Sequence, residues 1–279
     1  MKTAFVTTAT ALIAVLAATS CQSDTKNLEK KIDDLGKKID ALSRNGAGAQ
    51  QRQQRPGPDP SKVYAVPVDG DPADGPADAK VTLIKAYDYA CPFCERVRGT
   101  MEELRKKYGN DLRIVYKQFV VHPQVATAGA LAFCAAAKQG KAVQMDNLLW
   151  DKGFKAHNFD KDEGSTKCWD SPDGCPVVLA DAKELNLDET KFKADMKDCQ
   201  HLMQTDMHEL TAVGVGSTPS FFINGRFMVG AMPPENFSAL IDEELKKAND
   251  RIAQGTPQAQ YYQQWVLDKG QKTLEAPKQ

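Results

Sequence analysis

Two cysteines separated by two residues are the part of this sequence that could do chemistry. Cys91 and Cys94 enclose Pro92 and Phe93, and this C-P-F-C stretch follows an apolar run at residues 81–84. Apolar residues then recur at helical spacings of three and four, at Phe93, Val97, Met101, Leu104 and Tyr108. The pattern predicts that Cys91 lies at the end of a strand and that a helix begins at Pro92, where a missing N–H costs no hydrogen bond.

A position at a helix N-terminus gives Cys91 a chemical role. Unsatisfied N–H groups and the positive end of the helix dipole stabilise a thiolate there. We expect Cys91 to be the exposed nucleophile and Cys94, one turn further along, to resolve a mixed disulfide. The alternatives are half of a zinc site or a structural bridge, but a strand, C-x-x-C and a helix with proline in its first turn favour redox chemistry. The stripe of Phe93, Val97 and Met101 is expected to be core.

Size and charge limit the possible functions. The chain has 279 residues and 42% hydrophobic content, enough for one good-sized core or two small ones. Its 36 lysines and arginines nearly balance its 37 aspartates and glutamates. Because this balance gives no support to nucleic-acid binding, we expect no nucleic-acid partner.

Residues 1–21 are typical of an export signal. Lys2 supplies a positive charge, residues 4–18 are apolar, and residues 16–21 resemble a bacterial lipobox in which Cys21 is acylated. Ordinary signal cleavage near the same place is the alternative. Acylation of Cys21 would leave six of the seven cysteines, an even number. We therefore expect a location on the periplasmic side of the bacterial cell envelope, with a lipid anchor as the only attachment to the membrane.

A heptad pattern follows in residues 22–44. Leucine and isoleucine alternate at spacings of four and three, at Leu28, Ile32, Leu35, Ile39 and Leu42. This combination favours a parallel coiled coil, so a homodimer or homotrimer through residues 24–44 is expected. The alternative is a solvated stalk without a partner, because three heptads are marginal and Gly36 weakens a helix by about 1 kcal/mol. Residues 45–62, rich in Gly, Gln, Arg and Pro, are predicted to be a flexible linker.

The globular part is expected over residues 63–248. Residues 63–68 predict an edge strand, the apolar run from residue 81 predicts a second strand, and residues 112–121 predict a third. From about 123 to 212 the pattern is helical and too long for a simple crossover. It indicates a helical subdomain inserted between strands.

The sheet is expected to resume at residues 217–223. Asn224 and Gly225 lie between that run and another apolar run at 226–229, which is the strongest short signal for a hairpin. A helix is predicted after Pro234, and residues 249–279 are predicted to be a polar tail with a short docking helix.

Two motifs together resemble a known family. The strand, C-P-F-C and helix, a helical insertion, and then Gly-x-x-x-Thr-Pro-Ser-Phe-Phe-Ile-Asn-Gly-Arg from Gly214 resemble the DsbA-like bacterial thiol–disulfide oxidoreductases of the thioredoxin fold. The resemblance covers residues 63–247. It implies an α/β thioredoxin fold with an inserted helical subdomain, preceded here by the short coiled-coil helix. It also implies that Pro219 is cis and faces the active-site disulfide, and that Thr218 contacts the substrate backbone by strand addition.

The resemblance implies an extracytoplasmic disulfide oxidase or isomerase. Its substrates would be exported proteins with thiols or disulfides, its redox partner would be a membrane or periplasmic protein, and no cofactor is expected. Phe93 is expected to contact the substrate beside the two cysteines. The alternative is a non-catalytic envelope module that uses the same fold to bind a peptide or a soft metal such as Cu(I).

The sequence departs from the family at two positions. The family's common buried acid, six residues before the first cysteine, is Lys85 here. Pointing inward, Lys85 would favour the Cys91 thiolate and a more oxidising couple, whereas pointing outward it would be an ordinary strand lysine, and we favour the outward orientation. The second departure is Phe93, which offers the thiolate neither charge nor a hydrogen bond. It predicts a reduction potential less extreme than that of a pair with histidine or lysine at this position.

Four further cysteines allow three pairings. We predict that Cys168 pairs with Cys175, closing a small loop, and that Cys134 pairs with Cys199, joining two inserted helices. Both bridges would be structural, as is common in exported proteins. A second redox pair, or a zinc site formed with Cys91 and Cys94, is the alternative. The four histidines show no ligand spacing, so no metal site is expected.

Overall fold

The computed structural model describes residues 27, 30–38, 57–159 and 167–274. The chain divides into two compact units, Met1–Arg55 and Pro56–Gln279. In the first unit, residues 30–38 are helical, and the heptad residues Ile32 and Leu35 are 61% and 59% exposed. The predicted signal with Cys21, the other heptad positions and most of the predicted linker lie outside the described residues.

The second unit is built on a five-stranded mixed sheet. Its strands are β1 (Ala73–Asp74), β2 (Val81–Tyr87), β3 (Leu112–Gln118), β4 (Ser220–Ile223) and β5 (Arg226–Val229), in the order β1-β3-β2-β4-β5. Central β2 is parallel to β3 and antiparallel to β4. All seven residues of β2 are buried, as expected of a strand that is covered on both faces.

The second unit contains seven helices within the described residues. They are α1 (Pro92–Arg96), α2 (Arg98–Tyr108), α3 (Pro123–Ala137), α4 (Ala142–Leu148), α5 (Pro176–Glu184), α6 (Glu189–Ala212) and α7 (Pro234–Ala253). Short 3-10 turns lie at Gly109–Asp111, Cys168–Asp170 and Gln258–Gln260, and wider π-type turns lie at Leu149–Phe154 and Tyr262–Leu267. Helices α3 to α6 form the insertion between β3 and β4.

The two faces of β2 contribute to different cores. Leu83 packs in a cluster with Phe237 of α7, whereas Ile84 packs on the other face in a cluster with Leu210 of α6. This follows from the alternation of side chains along a strand. A third cluster joins the end of β2 to the inserted helices and contains Cys91 and Cys94.

The hairpin predicted at Asn224 and Gly225 is present between β4 and β5. Both residues have positive φ, 44° and 81°, as a tight two-residue hairpin turn requires. A side chain at Gly225 would lie 2.6 Å from the Tyr64 carbonyl, so this glycine is also required by close packing.

The edge strand predicted at residues 63–68 is wrong. That segment makes only two isolated bridges, Val63 with Arg226 and Tyr64 with Gln271. Its backbone hydrogen bonds are divided between the hairpin turn and the C-terminal segment, so no continuous ladder forms. The edge strand beside β3 is instead Ala73–Asp74, from the turn-rich stretch that follows.

The continuous helix predicted after Cys91 is also corrected. It is interrupted at Val97, which separates α1 from α2. Val97 and Met101 are buried as predicted, but Phe93 is 50% exposed and lies against the guanidinium of Arg96, 5.0 Å from its ring centroid. Phe93 therefore belongs to the surface beside the cysteines and not to the core.

Candidate active site

Cys91 caps the N-terminus of α1, and Cys94 lies in its first turn. The Cys94 N–H donates to the Cys91 carbonyl at 3.0 Å, and the Cys91 N–H donates to the Asp88 carbonyl at 3.1 Å. Both cysteines are free thiols in this structure and both are buried, Cys91 at 5% and Cys94 at 0% exposure. The prediction of an exposed Cys91 is therefore wrong, because the sulfur lies beneath the Thr218–Pro219 segment.

The pKa values of the two thiols are shifted in opposite directions. The pKa of Cys91 is lowered to about 5, chiefly by a hydrogen bond with Cys94 and further by the Thr218 side chain and backbone N–H groups, against the effect of burial. Burial, together with the hydrogen bond to Cys91, raises the pKa of Cys94 far above that of an ordinary thiol. At neutral pH the pair therefore holds one thiolate, on Cys91, and one thiol, on Cys94.

The Thr218–Pro219 peptide bond is cis and lies against the sulfur. The Sγ of Cys91 is 3.3 Å from the Thr218 carbonyl oxygen. Neighbouring bonds fix this segment: the Gly230 N–H donates to the Pro219 carbonyl at 2.8 Å, and the Ser220 hydroxyl donates to the Ser217 carbonyl at 2.7 Å. The two motifs that were far apart in sequence thus meet at Cys91.

Asp88 is a residue of this site that the sequence analysis missed. Its carboxylate is fully buried and accepts from the Ala90 N–H at 2.6 Å through one oxygen. The other oxygen accepts from the N–H groups of Val121 and His122, at 2.6 and 2.8 Å. Asp88 therefore ties the turn before Cys91 to the segment that follows β3. Its position at the end of a buried strand, three residues before the cysteine, was the available signal.

Lys85 points into the protein, and the predicted outward orientation is wrong. The residue is 1% exposed, and its Nζ lies 4.5 Å from the ring centroid of Tyr87, 5.6 Å from that of Tyr116 and 5.9 Å from that of Trp150. Because β2 is covered on both faces, alternation along the strand offers this side chain no route to solvent. The ammonium is instead accommodated by aromatic faces.

The rings around Lys85 continue into an aromatic network beside the cysteines. Tyr89 packs on Trp150 with centroids 4.9 Å apart and on Tyr87 at 5.1 Å. The Tyr89 hydroxyl and the Trp150 indole N–H both donate to one oxygen of Asp146, at 2.7 and 3.1 Å. The network links the end of β2 to α4 of the insertion, so the inserted helices form one wall of the site.

The remaining four cysteines are bonded in pairs within the insertion. Cys134 is bonded to Cys199 and Cys168 to Cys175, with Cα separations of 6.1 and 4.8 Å. These are the pairs expected from the sequence. With these sulfurs occupied, the described residues contain no cluster of histidine, cysteine or acidic side chains suited to a metal ion.

Three large apolar side chains on the segments that build this site are exposed. Phe93, Val121 and Met232 are 50%, 41% and 37% exposed. A cavity of about 280 Å³ opens next to Ala90 and is lined mainly by apolar residues and two histidines, namely Ala90, His122, Val125, Gly153, Phe154, His157 and Phe159.

Comparison with known proteins agrees with the architecture. A family model described as thioredoxin matches residues 68–243, more than half of the chain. Oxidised BdbD from Bacillus subtilis is 18% identical, with a TM-score of 0.52, and the match covers 66% of this chain and 98% of that one. For alpha-DsbA1 from Wolbachia pipientis the identity is 17%, the TM-score 0.52 and the coverage 67% and 96%. The predicted α/β fold with inserted helices is confirmed.

Curated relatives include larger proteins. The Na(+)/H(+) antiporter NhaA of Herminiimonas arsenicoxydans is 28% identical over 198 residues, which make up 70% of this chain and 29% of that protein. The chain thus spans less than a third of the length of this relative. Within the described residues, none of the helices combines the length and apolarity needed to cross a membrane.

Proposed function

Because this chain belongs to the thioredoxin family, we propose that it is a thiol–disulfide oxidoreductase that exchanges disulfides with exported proteins through Cys91 and Cys94. The observation that carries this proposal is the position of Cys91 as the N-cap of α1, with its sulfur 3.3 Å from the Thr218 carbonyl oxygen at the cis Thr218–Pro219 bond. The acidities of the two thiols agree with it. Cys91 has a pKa of about 5, whereas the pKa of the neighbouring Cys94 is raised far above the usual thiol value. A structural bridge needs no such difference, but a nucleophile and its resolving partner do.

In the oxidising direction, a substrate thiolate attacks Sγ of Cys91 in the disulfide form. The Cys91–Cys94 bond breaks, its electron pair remains on Cys94, and Cys94 takes up a proton. A second substrate thiolate then attacks the substrate sulfur of the mixed disulfide. Cys91 leaves as a thiolate that its low pKa stabilises, the substrate gains a disulfide, and the enzyme gains the two electrons.

The same groups support isomerisation. The reduced Cys91 thiolate attacks a wrong substrate disulfide, and rearrangement within the substrate releases Cys91 unchanged. Cys94 provides an escape when rearrangement fails, since its attack on Cys91 expels the substrate in reduced form. Association through residues 24–44 would bring two or three sites to one substrate, which suits isomerisation, so deleting residues 22–60 should lower isomerase activity more than dithiol oxidation.

Substrate binding is assigned to the surface over Cys91. Thr218 precedes Pro219 at the entry to β4 and can offer backbone groups to an extended peptide. The half-exposed ring of Phe93, which lies between the two cysteines in the sequence, provides apolar contact area. These contacts depend little on the amino-acid sequence of the substrate, which suits an enzyme that acts on many proteins.

We place the protein on the periplasmic side of the bacterial cell envelope. The signal-like residues 1–21, with Cys21 as the lipid attachment site, support this location. Two structural disulfides, Cys134–Cys199 and Cys168–Cys175, are typical of an oxidising compartment. A redox partner in the membrane or periplasm would reset the Cys91–Cys94 pair after each turnover.

The test is the reduction potential of the Cys91–Cys94 pair, measured in glutathione buffers by alkylation and mass. The full chain is compared with its Cys94→Ala variant, which cannot close the bond. A potential above about −180 mV supports an oxidase or isomerase, and one below about −270 mV indicates a reductase. A pair that resists mild dithiols would contradict the proposal and favour the binding module.

A further inference from the structure

The cavity that opens next to Ala90 takes no part in the sulfur exchange described above. Its volume is about 280 Å³. Ala90 forms part of its wall and is joined directly to Cys91 in the chain, with Cα atoms about 3.8 Å apart across the peptide bond. A polypeptide whose sulfur reacts with Cys91 therefore has its neighbouring residues within reach of the cavity, because each extended residue adds about 3.3 Å.

Asp88 fixes the cavity wall relative to Cys91. Its backbone carbonyl accepts from the Cys91 N–H at 3.1 Å, and its carboxylate accepts from the Ala90 N–H at 2.6 Å. The same carboxylate accepts from the backbone N–H of His122 at 2.8 Å and lies 3.2 Å from the His122 Nδ1. One buried acid thus holds the nucleophile and two cavity-lining residues in a single arrangement.

The inserted segment supplies another wall, and that wall is also fixed. The buried ring of Phe159 fits against Gly153, where any side chain would collide with the ring. The turn between these residues is closed by two hydrogen bonds: the His157 N–H donates to the Phe154 carbonyl at 3.1 Å, and the Asn158 N–H donates to the Gly153 carbonyl at 2.9 Å. A cavity with preformed walls binds a ligand without a large cost of ordering.

The lining of the cavity selects the side chain that can enter it. Four of its residues carry rings, namely His122, Phe154, His157 and Phe159. No aspartate, glutamate, lysine or arginine is among the described residues that line it, so a charged side chain would lose water without gaining a permanently charged partner. An apolar cavity of about 150 Å³ holds benzene. The larger volume here accommodates an aromatic side chain, which the surrounding rings contact by stacking or edge to face.

We propose that this cavity is a specificity subsite that binds the aromatic side chain of a substrate residue close to the reacting cysteine. This inference rests on the proposed function, because the subsite acts only on a substrate whose sulfur reacts with Cys91. Burial of the ring holds the substrate sulfur at Cys91 and so increases the rate of exchange. The subsite adds a preference to contacts that otherwise depend little on substrate sequence. Since aromatic residues are mostly buried after folding, it favours chains that have not yet folded.

The test measures how fast short dithiol peptides reduce the Cys91–Cys94 bond of the oxidised full chain. One position near a peptide cysteine is varied among alanine, phenylalanine, lysine and glutamate, and the varied position is moved along the peptide. At the best position, phenylalanine should increase the rate about 10-fold over alanine, as expected for moving a large apolar side chain out of water. Lysine and glutamate should give no increase. Rates are expressed per peptide thiolate, because neighbouring charges also shift the pKa of the peptide thiols.

Variants of the full chain locate the effect. Val125→Trp fills the cavity and Phe154→Ala removes one of its rings, so each should bring the ratio of the phenylalanine rate to the alanine rate close to one. Val143→Trp is the matched control and should keep the full ratio, because Val143 is 49% exposed on α4 and does not line the cavity. Phe93→Ala should also keep the ratio, because the ring of Phe93 lies outside the lining.

Equal rates for the phenylalanine and alanine peptides at every position would overturn the subsite and leave the proposed function intact. A preference that persists in both cavity variants, or that is lost in Phe93→Ala, would also overturn it, since the aromatic residue would then bind elsewhere. So would a glutamate peptide that reacts fastest, because the two histidines would then form an anion site. If Val125→Trp does not fold, Phe154→Ala decides the location. A wild-type chain that oxidises none of the peptides would contradict the proposed function itself.

Discussion

The acidity of Cys91 depends on its partner more than on the helix end alone. The sequence predicts a stabilised thiolate from the helix N-terminus, and the structure adds a hydrogen bond with Cys94 as the largest cause. The two cysteines are thus one unit in which the buried thiol stabilises the thiolate above it. The C-x-x-C spacing predicts that Cys94 influences the pKa of Cys91. It does not predict that this influence is larger than that of the helix dipole.

The low pKa of Cys91 predicts how its alkylation rate depends on pH. The alkylation rate of Cys91 in the reduced protein should be half-maximal near pH 5, the value to which its pKa is lowered. Cys94→Ala removes the hydrogen-bond donor, so the pKa of Cys91 should rise and the rate at pH 6 should fall about tenfold. Cys94→Ser keeps a donor and is the matched control. Identical profiles for wild type and the Ala variant would show that Cys94 does not set the acidity.

Lys85 and Asp88 show why some residue orientations could not be predicted. Both are charged residues near the end of a strand, where solvent exposure is the usual expectation. Asp88 is buried because three backbone N–H groups satisfy it, and Lys85 is buried because three rings surround it. Ala90 and Tyr87 are local partners, but the others come from β3, the segment after it and the insertion, so no local sequence pattern predicts them. In the sequence, only the run of apolar residues in β2 indicated that both faces of this strand are covered.

At the scale of helices and strands, the sequence correctly predicted the elements whose position is determined by local signals. The helices of the insertion and the Asn224-Gly225 hairpin follow from periodicity and turn chemistry. The strand predicted at residues 63–68 failed because its hydrogen-bond partners are single residues in the hairpin turn and the C-terminal segment. Apolar, β-branched composition shows that a segment is buried, but it does not show that a neighbouring strand is available.

The two disulfides should stabilise the insertion unequally. Cys134–Cys199 joins α3 to α6 across 65 residues, whereas Cys168–Cys175 closes only seven. Loop-closure entropy gives about 4 kcal/mol for the first and about 2 kcal/mol for the second. Replacing Cys134 and Cys199 by alanine should therefore reduce the free energy of unfolding by about 2 kcal/mol more than the same change at Cys168 and Cys175. Urea denaturation of the two double variants measures the difference, and equal losses would argue against the entropic origin.

At the scale of the whole globular unit, a buried ionic cluster joins the sheet to the insertion. Lys117 of β3 lies 2.6 Å from Asp71, 2.7 Å from Asp206 and 2.9 Å from Glu209, and the last two belong to α6. Asp206 also accepts from the Gln118 N–H at 2.9 Å. Three carboxylates thus share one ammonium, and neither oxygen of Asp71 makes a well-directed hydrogen bond.

This imbalance makes the stability of the fold depend on pH. Burial and the neighbouring Asp206 raise the pKa of Asp71 to about 7, against the attraction of Lys117. An acid whose pKa is higher in the folded state than in the unfolded state stabilises the fold when protonated. Its contribution is full below about pH 4 and is lost as the pH rises to about 7. Above that pH, repulsion among the carboxylates remains.

Asp71→Asn should therefore remove part of the pH dependence. The amide cannot ionise, so the stability of the variant relative to wild type should increase between pH 5 and pH 8, by about 1 kcal/mol or more. The remaining charged and ionisable groups around this position, unchanged in the comparison, are Arg113, Lys117, Asp206, Glu209 and Tyr262. Urea denaturation at both pH values measures the change, with Asp69→Asn at an exposed neighbouring position as the control. A constant difference between variant and wild type would mean that Asp71 is already ionised at pH 5 and that Lys117 compensates all three carboxylates.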